Sequence, residues 1–426
     1  MAAPQHPLID PALADKRAGR RMLPDAPALD SPETSIALGP EQDRRRFSVY
    51  EPLAAFELVE ELDFLTARAI EPIPFYAPQF LVPAMPRLDD RHLKLMVARD
   101  EGEGRSRLRL LMPFSVETTG LLGGPPCVRA WTHPFGPRGT LLLDHDDPAG
   151  TVASLFDALR DKALGLPPLL VVPDLRLDGP VASALTAEAA KRGLPVQVIE
   201  ARKRACLDAR GDPSAFLGSA LSARRRRELA RLRRRLDQSG SVTFETARRQ
   251  SDVREALEDF LVLEASGWKG RARSALLTDR YRSAFAREAV DGLAARDRVR
   301  IHALKLDGHA VASVVVLVAE GQAVLWKMAY DEAHAKASPG FQLMAATSQA
   351  LIADLAIRFV DSCAVPDHMM INRIWRSRVE VGTLVLGLKD DGGRSVQRAA
   401  SGLNRVRRIR QAAWRLRTGL RRMPWS

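Results

Sequence analysis

Between Val299 and Asp331 the chain reads VRIHALKLDGHAVASVVVLVAEGQAVLWKMAYD. Two dipeptides ending in glycine, Asp307-Gly308 and Glu320-Gly321, interrupt it at hairpin spacing. Glycine there supplies the positive φ of a tight turn, and apolar runs flank both turns. The stretch predicts a three-stranded antiparallel meander. Its longest nearly unbroken apolar run, Val311–Ala319, is far too short to span a bilayer.

Helical patterns bracket the meander. Upstream, SDVREALEDFLVLEASG sets Val253, Leu257, Phe260, Leu261 and Glu264 along one side, with Ser251 as N-cap. YRSAFAREAVDGLAARD follows as a second helix. Downstream, SPGFQLMAATSQALIADLAI predicts a helix capped by Ser338, with Pro339 at its first position and Leu343, Leu351 and Leu355 as its stripe. RFVDSCAV then reads as a strand, and PDHMMINRIW as irregular chain.

The first half uses the same elements. HLKLMVARDEGEGRSRLRLLMPFSV predicts a hairpin, and PPLLVVPDL and PVQVIEA predict strands around a helix that Gly193 stops. SVYEPLAAFELVEELDFLTARAI reads as a helix with Leu53, Phe56, Leu58, Leu62 and Leu65 near one face. The strand–turn–strand around Glu101–Arg105 echoes that at Leu306–Val311, which points to an old duplication. Residues 1–46, rich in Pro, Ala and Asp, read as a flexible leader without the apolar core of a signal peptide.

Length and composition, 426 residues with 46% apolar and 27% charged, describe a globular protein of two or three domains. The net charge of +12 is not spread evenly. Arg224–Arg235 holds eight arginines and one glutamate, and Asp391–Ser426 holds ten arginines and one aspartate, so the rest is slightly acidic. Cys127, Cys206 and Cys363 have no paired spacing, and no metal-ligand pattern, P-loop or Gly-x-Ser-x-Gly motif is present. A reduced, cytoplasmic setting fits this usage.

The order helix, helix, three strands, helix, strand is similar to the layout of GNAT-type N-acetyltransferases. FLVLEASGWKGRARSAL (Phe260–Leu276), WKMAYDEAHAKASPG (Trp326–Gly340) and VDSCAVPDHMMINRIW (Val360–Trp375) resemble the bacterial CelD-like family, linked by name to cellulose biosynthesis. That family in turn resembles the Fem-type aminoacyltransferases. The resemblance spans roughly residues 50 to 390. It implies an α/β (α+β) fold of two tandem GNAT-like lobes, each a mixed, mostly antiparallel sheet flanked by helices. Residues 47–205 would form a degenerate first lobe and 206–390 the acyltransferase lobe, with an arginine-rich connecting helix at 219–238 and a basic amphipathic tail at 391–426.

The implied reaction is transfer of an acyl group from acetyl-CoA or another acyl-CoA to an amine or hydroxyl acceptor, with no metal. Lys327, Met328 and Ala329 correspond to the backbone that faces the pantetheine. Lys336, Ser338, Gly340, Phe341 and Gln342 correspond to the phosphate loop, although HAKASPGFQ has one glycine where the family pattern has more. Glu264, Tyr330, Asp361 and His368 are the catalytic candidates, and Trp268, Lys269, Asp331 and Asp367 the substrate-binding ones. In the tail, Leu403, Val406, Ile409, Ala413, Leu416 and Leu420 recur every three or four residues beside Trp414 and Trp425. Arginines fill the opposite arc, a pattern for peripheral contact with an anionic membrane surface through residues 400–426. Two alternatives stand beside the acyl-CoA reading: a Fem-like transferase that uses aminoacyl-tRNA, and a non-catalytic accessory protein of a polysaccharide synthase.

Overall fold

Both glycine turns of the meander form in the mirror-image geometry that suits twisted strands. Asp307 and Gly308 take φ of 48° and 82°, and Glu320 and Gly321 take 46° and 83°. The computed structural model describes residues 32–40, 44–88, 92–102, 105–120 and 123–420.

In chain order the strands of the first half are β1 (Thr34–Leu38), β2 (Arg44–Tyr50), β3 (Leu93–Gly102), β4 (Arg105–Thr118), β5 (Pro126–Ala130), β6 (Leu142–Leu143), β7 (Leu169–Arg176) and β8 (Val196–Asp208). Those of the second half are β9 (Val242–Ala247), β10 (Val299–Leu306), β11 (His309–Ala319), β12 (Gly321–Tyr330), β13 (Ile357–Asp361) and β14 (Ser377–Gly387). The helices are α1 (Val59–Arg68), α2 (Pro78–Leu88), α3 (Pro148–Arg160), α4 (Pro180–Lys191), α5 (Pro213–Ala220) and α6 (Ala223–Asp237). They continue with α7 (Gln250–Ser266), α8 (Trp268–Arg271), α9 (Arg280–Ala294), α10 (Pro339–Ala353), α11 (Ile371–Ile374) and α12 (Arg394–Leu420).

Two compact units result. The first comprises the described residues within 12–71, 90–202 and 380–426, and the second those within 72–89 and 203–379. Each is α/β, with a mostly antiparallel sheet flanked by helices. In the second, β9, β10, β11 and β12 run antiparallel, β13 joins β12 in parallel, and the end of β8 closes the edge antiparallel to β13. In the first, β1 to β5 run antiparallel, β7 joins β5 in parallel, and β14 pairs antiparallel with β7 and has β8 as its other neighbour. A helix links the parallel pair in both, α3 in one and α10 in the other. The duplication read from two turns is therefore matched by the topology of each sheet.

Three local expectations are corrected. Thr34–Leu38 is a strand with Ile36 set against Phe47, so the leader does not extend to residue 46; residues 1–31 and 41–43 lie outside the described residues. The helical stretch from Ser48 instead starts in β2, and only Leu58, Leu62 and Leu65 of its expected stripe are buried, Phe56 being exposed. Leu355 falls beyond the end of α10 and is exposed, while Leu343 and Leu351 are buried.

The unit boundaries also differ from 47–205 and 206–390 for packing reasons. Phe80 on α2 meets Phe285 on α9 edge-on at 5.1 Å, and Arg87 pairs with Glu288. That brings residues 72–89 into the second unit. Val396, Ala399 and Ala400 of α12 pack on Leu169, Val171 and Val385, which brings the start of the tail into the first. Because Phe80 is fully buried among aromatic rings, F80A is expected to cost about 3–5 kcal/mol. Amide hydrogen exchange should accelerate in α9 and β12 and stay unchanged in β3 and β4. Equal loss in β3 and β4 would contradict this placement of α2.

Candidate active site

β12 carries one residue more than its partner. Lys327 lies opposite Val315 and Leu325 opposite Val316, which leaves Trp326 as a β-bulge. Normal alternation would point Trp326 and Lys327 to opposite faces. The bulge puts both on the side of α7 and α9. Trp326 sits edge-on to Phe80 and Phe285 at 5.9 and 6.1 Å, while the Lys327 Nζ reaches Glu264 of α7. Leu325, Met328 and Tyr330 turn the other way, into the core under α10.

The bulge also marks where two strands part. Parallel pairing of β12 with β13 ends at Val324 opposite Asp361. From Leu325 to Tyr330 the β12 edge that faced β13 has no strand partner among the described residues. Its backbone is available to an extended ligand segment, the setting in which a strand N–H can hold a developing oxyanion.

On the α7 side lies a buried charge cluster. One Glu264 oxygen accepts from the Lys269 and Lys327 ammoniums, both at 3.1 Å, and the other from the Leu276 N–H at 2.9 Å. Lys269 also donates to the Met328 carbonyl at 2.8 Å, which ties α8 to the open part of β12. Burial alone would push the Glu264 carboxyl up, but Lys327, Lys269 and the Leu276 amide outweigh it and hold it at about 2. Burial lowers Lys327 to about 8, against the pull of Glu264. Glu264 is ionised, fully enclosed and engaged at both oxygens. Its geometry is that of an anchor for two lysines rather than of a base open to substrate.

Lys269 owes its position to a tight helix end. Gly267 closes α7 in an extended conformation, and a Cβ on Gly270 would lie 1.8 Å from the Ala265 carbonyl oxygen. Glu332, which sequence reasoning missed, secures the same corner: it accepts from the Trp268 N–H at 2.7 Å and from Arg271 at 2.6 Å. The half-buried Trp268 ring lies 5.9 Å from the Lys269 Nζ. Asp331 caps the short 3-10 helix Glu332–Ala337 through the Ala333 N–H and pairs with His334.

The start of α10 faces the parted strands. A Cβ on Gly340 would lie 3.4 Å from Met328 Cε and 3.8 Å from both Met370 Sδ and Tyr330 Cδ1, so the structure brings Met328, Tyr330 and Gly340 together. Ser338 occupies the N-cap position but forms no side-chain cap. It sits instead in the left-handed region at φ 50°, a strained conformation for a residue with a Cβ. Its carbonyl takes the Phe341 and Gln342 N–H groups, and Pro339 has none, which leaves the Gly340 amide in this first turn. The Gln342 side chain is spent on the Ala337 carbonyl, and Ala329 lines β12 opposite Ser313. Lys336 is exposed, with no ion pair among the described residues.

The candidates after β13 are not all at this place. Asp361 is fully buried against Arg204 and accepts from the Cys363 N–H at 2.9 Å, a structural pair that sequence spacing did not reveal. His368 is half-buried with its Nδ1 3.3 Å from the Ile371 N–H, and Asp367 is exposed beside it. Tyr330 is half-buried; burial, then Glu332, raises its hydroxyl above the ordinary tyrosine range, so it stays protonated at neutral pH. Elsewhere, Asp144, His145 and Asp146 approach one another closely enough to hold a cation, but Arg68, Arg107 and Arg109 already neutralise the two carboxylates.

Residues 223–367 match the family model described as acetyltransferase (GNAT) domain, so the second unit carries a GNAT-type acyltransferase fold. Among solved structures, FemX is similar with a TM-score of 0.53 at 9% identity, over 77% of this chain and 95% of that one. At that identity the likeness concerns the fold alone. The C-terminal (DUF2156) domain of an Agrobacterium fabrum protein described as a lysylphosphatidylglycerol synthetase gives 0.49 at 14% identity, over 81% and 96%. A tandem GNAT protein from the clavulanic acid biosynthesis pathway gives 0.39 at 16% identity, over 82% and 99%. No curated protein matches the chain.

E264Q would leave two ammoniums sharing a buried site without their counter-charge. A loss of about 3–5 kcal/mol at pH 7 is expected from urea denaturation. Glu264 raises the Lys327 pKa relative to the variant, so its contribution is full below the variant's lower value and is lost as pH rises toward and through the wild-type value of about 8. The deficit of the variant should therefore narrow between pH 7 and 10. A constant deficit would mean that Lys327 is not charged beside Glu264.

Proposed function

We propose that this chain is an acyl-CoA-dependent N-acyltransferase, with its site where β12 parts from β13 in the second unit and a degenerate GNAT-like lobe in the first. The observation that carries the reading is the bulged strand with its open edge, facing Gly340 at the start of α10, inside the segment that matches the GNAT model. The acyl-thioester arm would lie along Lys327–Tyr330, with backbone groups of that edge holding the thioester oxygen. One Gly340 amide and the Lys336 ammonium would meet the pyrophosphate.

The acceptor amine or hydroxyl attacks the thioester carbon, its proton leaves to a base, and the thiolate departs. Tyr330, protonated at neutral pH, would return a proton to that thiolate. His368, with a half-buried imidazole, is the candidate base, aided by Asp367. Asp361 and Glu264, though read from sequence as catalytic, support these residues from buried ion pairs. Trp268, Lys269 and Asp331 would border the acceptor side. The blocks quoted from the sequence favour a CelD-like role in exopolysaccharide, cellulose or envelope synthesis, with the tail at an anionic inner membrane surface. No helix among the described residues is long and apolar enough to cross a membrane. The scarcity of amides at α10 favours the second reading, an aminoacyl-tRNA donor.

Calorimetry with acetyl-CoA, longer acyl-CoAs and charged tRNA separates the two. A Gly340 side chain larger than methyl would fill the space between Met328, Tyr330 and Met370, displacing only flexible groups. G340V should therefore weaken acyl-CoA binding at least tenfold while costing about 1–3 kcal/mol of stability, with G340A close to wild type. Binding of charged tRNA alone would favour the second reading, and binding of neither would remove both.

A further inference from the structure

The side chains of α6 are arranged as if for an anion that the chain itself does not provide. Leu232 and Leu236 are buried and Leu229 half-buried, which fixes the inner face. Arg224, Arg227, Arg231 and Arg235 follow at intervals of three and four and form one exposed row. Among the described residues, Arg224, Arg225, Arg227, Arg231, Arg234 and Arg235 have no ion pair, and the lone Glu228 engages none of them.

Arg68, Arg99, Arg109, Arg192, Arg248, Arg254, Arg287 and Arg300 each find a carboxylate. On α6, by contrast, like charges repel along the row, and four arginines occupy the helix start, the end whose dipole disfavours cations. An external polyanion reverses both penalties.

Three observations choose among polyanions. The helix has 15 residues and so extends about 22 Å, a length over which a duplex nucleic acid carries on the order of a dozen phosphates, against the pyrophosphate and single further phosphate of a CoA. Its apolar side chains point inward, which leaves nothing to insert into a bilayer. It packs beside the 3-10 helix Glu332–Ala337 and against α10, where Lys336 is exposed and backbone amides are scarce.

We propose that the Arg224–Arg227–Arg231–Arg235 row of α6 is a docking surface for the phosphate backbone of RNA, beside the entrance of the site. The probe is fluorescein-labelled unacylated tRNA, titrated by anisotropy against the full chain at 50 to 200 mM salt. Acyl-CoA is left out, so the result is independent of the donor reading. Wild type should bind with a steep salt dependence. R224Q/R227Q/R231Q/R235Q, exposed changes to a good helix former that also relieve the repulsion, should keep the wild-type circular dichroism with a urea midpoint no lower than wild type. It should lose tenfold or more in affinity at 100 mM salt, with the log–log salt slope reduced by about 3. R405Q/R408Q/R410Q on α12 should keep the wild-type slope. The proposal is overturned if wild type fails to bind at 50 mM salt, if the α6 variant loses less than tenfold, or if the α12 variant carries the loss. Binding to vesicles containing phosphatidylglycerol in place of tRNA, abolished by the α6 changes, would overturn it in favour of a membrane contact.

Discussion

The extra residue in β12 governs the second unit. Without the bulge at Trp326, strict alternation would turn Lys327 into the apolar core under α10, where an ammonium has no partner. With it, the aromatic ring fills the space between Phe80 and Phe285, and the ammonium meets the only carboxylate that α7 buries. A bulge also bends its strand and increases the local twist. Here it lies just past the last residue paired with β13, so the same insertion that places Lys327 accounts for the parting of the strands.

The buried charges of this unit are enclosed by partners. Glu264 is enclosed by Lys269, Lys327 and the Leu276 amide, Asp361 by Arg204 and the Cys363 amide, and Arg300 by Asp354 and Asp297. An enclosed ion with every acceptor engaged has lost the access that proton transfer requires. Tyr330, by contrast, is only half-buried, and burial and Glu332 keep its hydroxyl protonated at neutral pH. Lys269 joins the two kinds: its head belongs to the buried cluster, yet through the Met328 carbonyl it holds the open edge of β12.

The parts of this fold legible in the sequence are those set by local rules. Glycine at two turns fixed the meander, and the period of Val253, Leu257, Phe260, Leu261 and Glu264 gave the buried side of α7 correctly. Where side chains answer to distant elements, the sequence was silent. Nothing near Trp326 announces a bulge, because its cause is the fit of one ring against α2 and α9. Nothing near Asp361 announces Arg204, 157 residues away. Ser338 followed by Pro339 reads as a good helix cap, but the serine ends the preceding 3-10 turn in a left-handed conformation and its side chain makes no cap bond. Acidic residues beside the expected cleft looked reactive for the same reason: type and position are local, burial is not.

The contrast between α10 and α6 bears on how this site meets its donor. Backbone amides at a helix start recognise a phosphate over one hydrogen-bond length and in one orientation, and they lose little to added salt when enclosed. Exposed guanidiniums act over a Debye length of about 8–10 Å and accept many orientations, at the cost of salt sensitivity. By carrying Pro339 and engaging the Phe341 and Gln342 amides internally, α10 has reduced the first kind of recognition to a single N–H. α6, packed beside that loop, supplies the second kind in quantity. On the proposed docking, recognition by α6 would depend on total phosphate charge more than on the fit of one pyrophosphate, and a longer polyanion would engage more of the row.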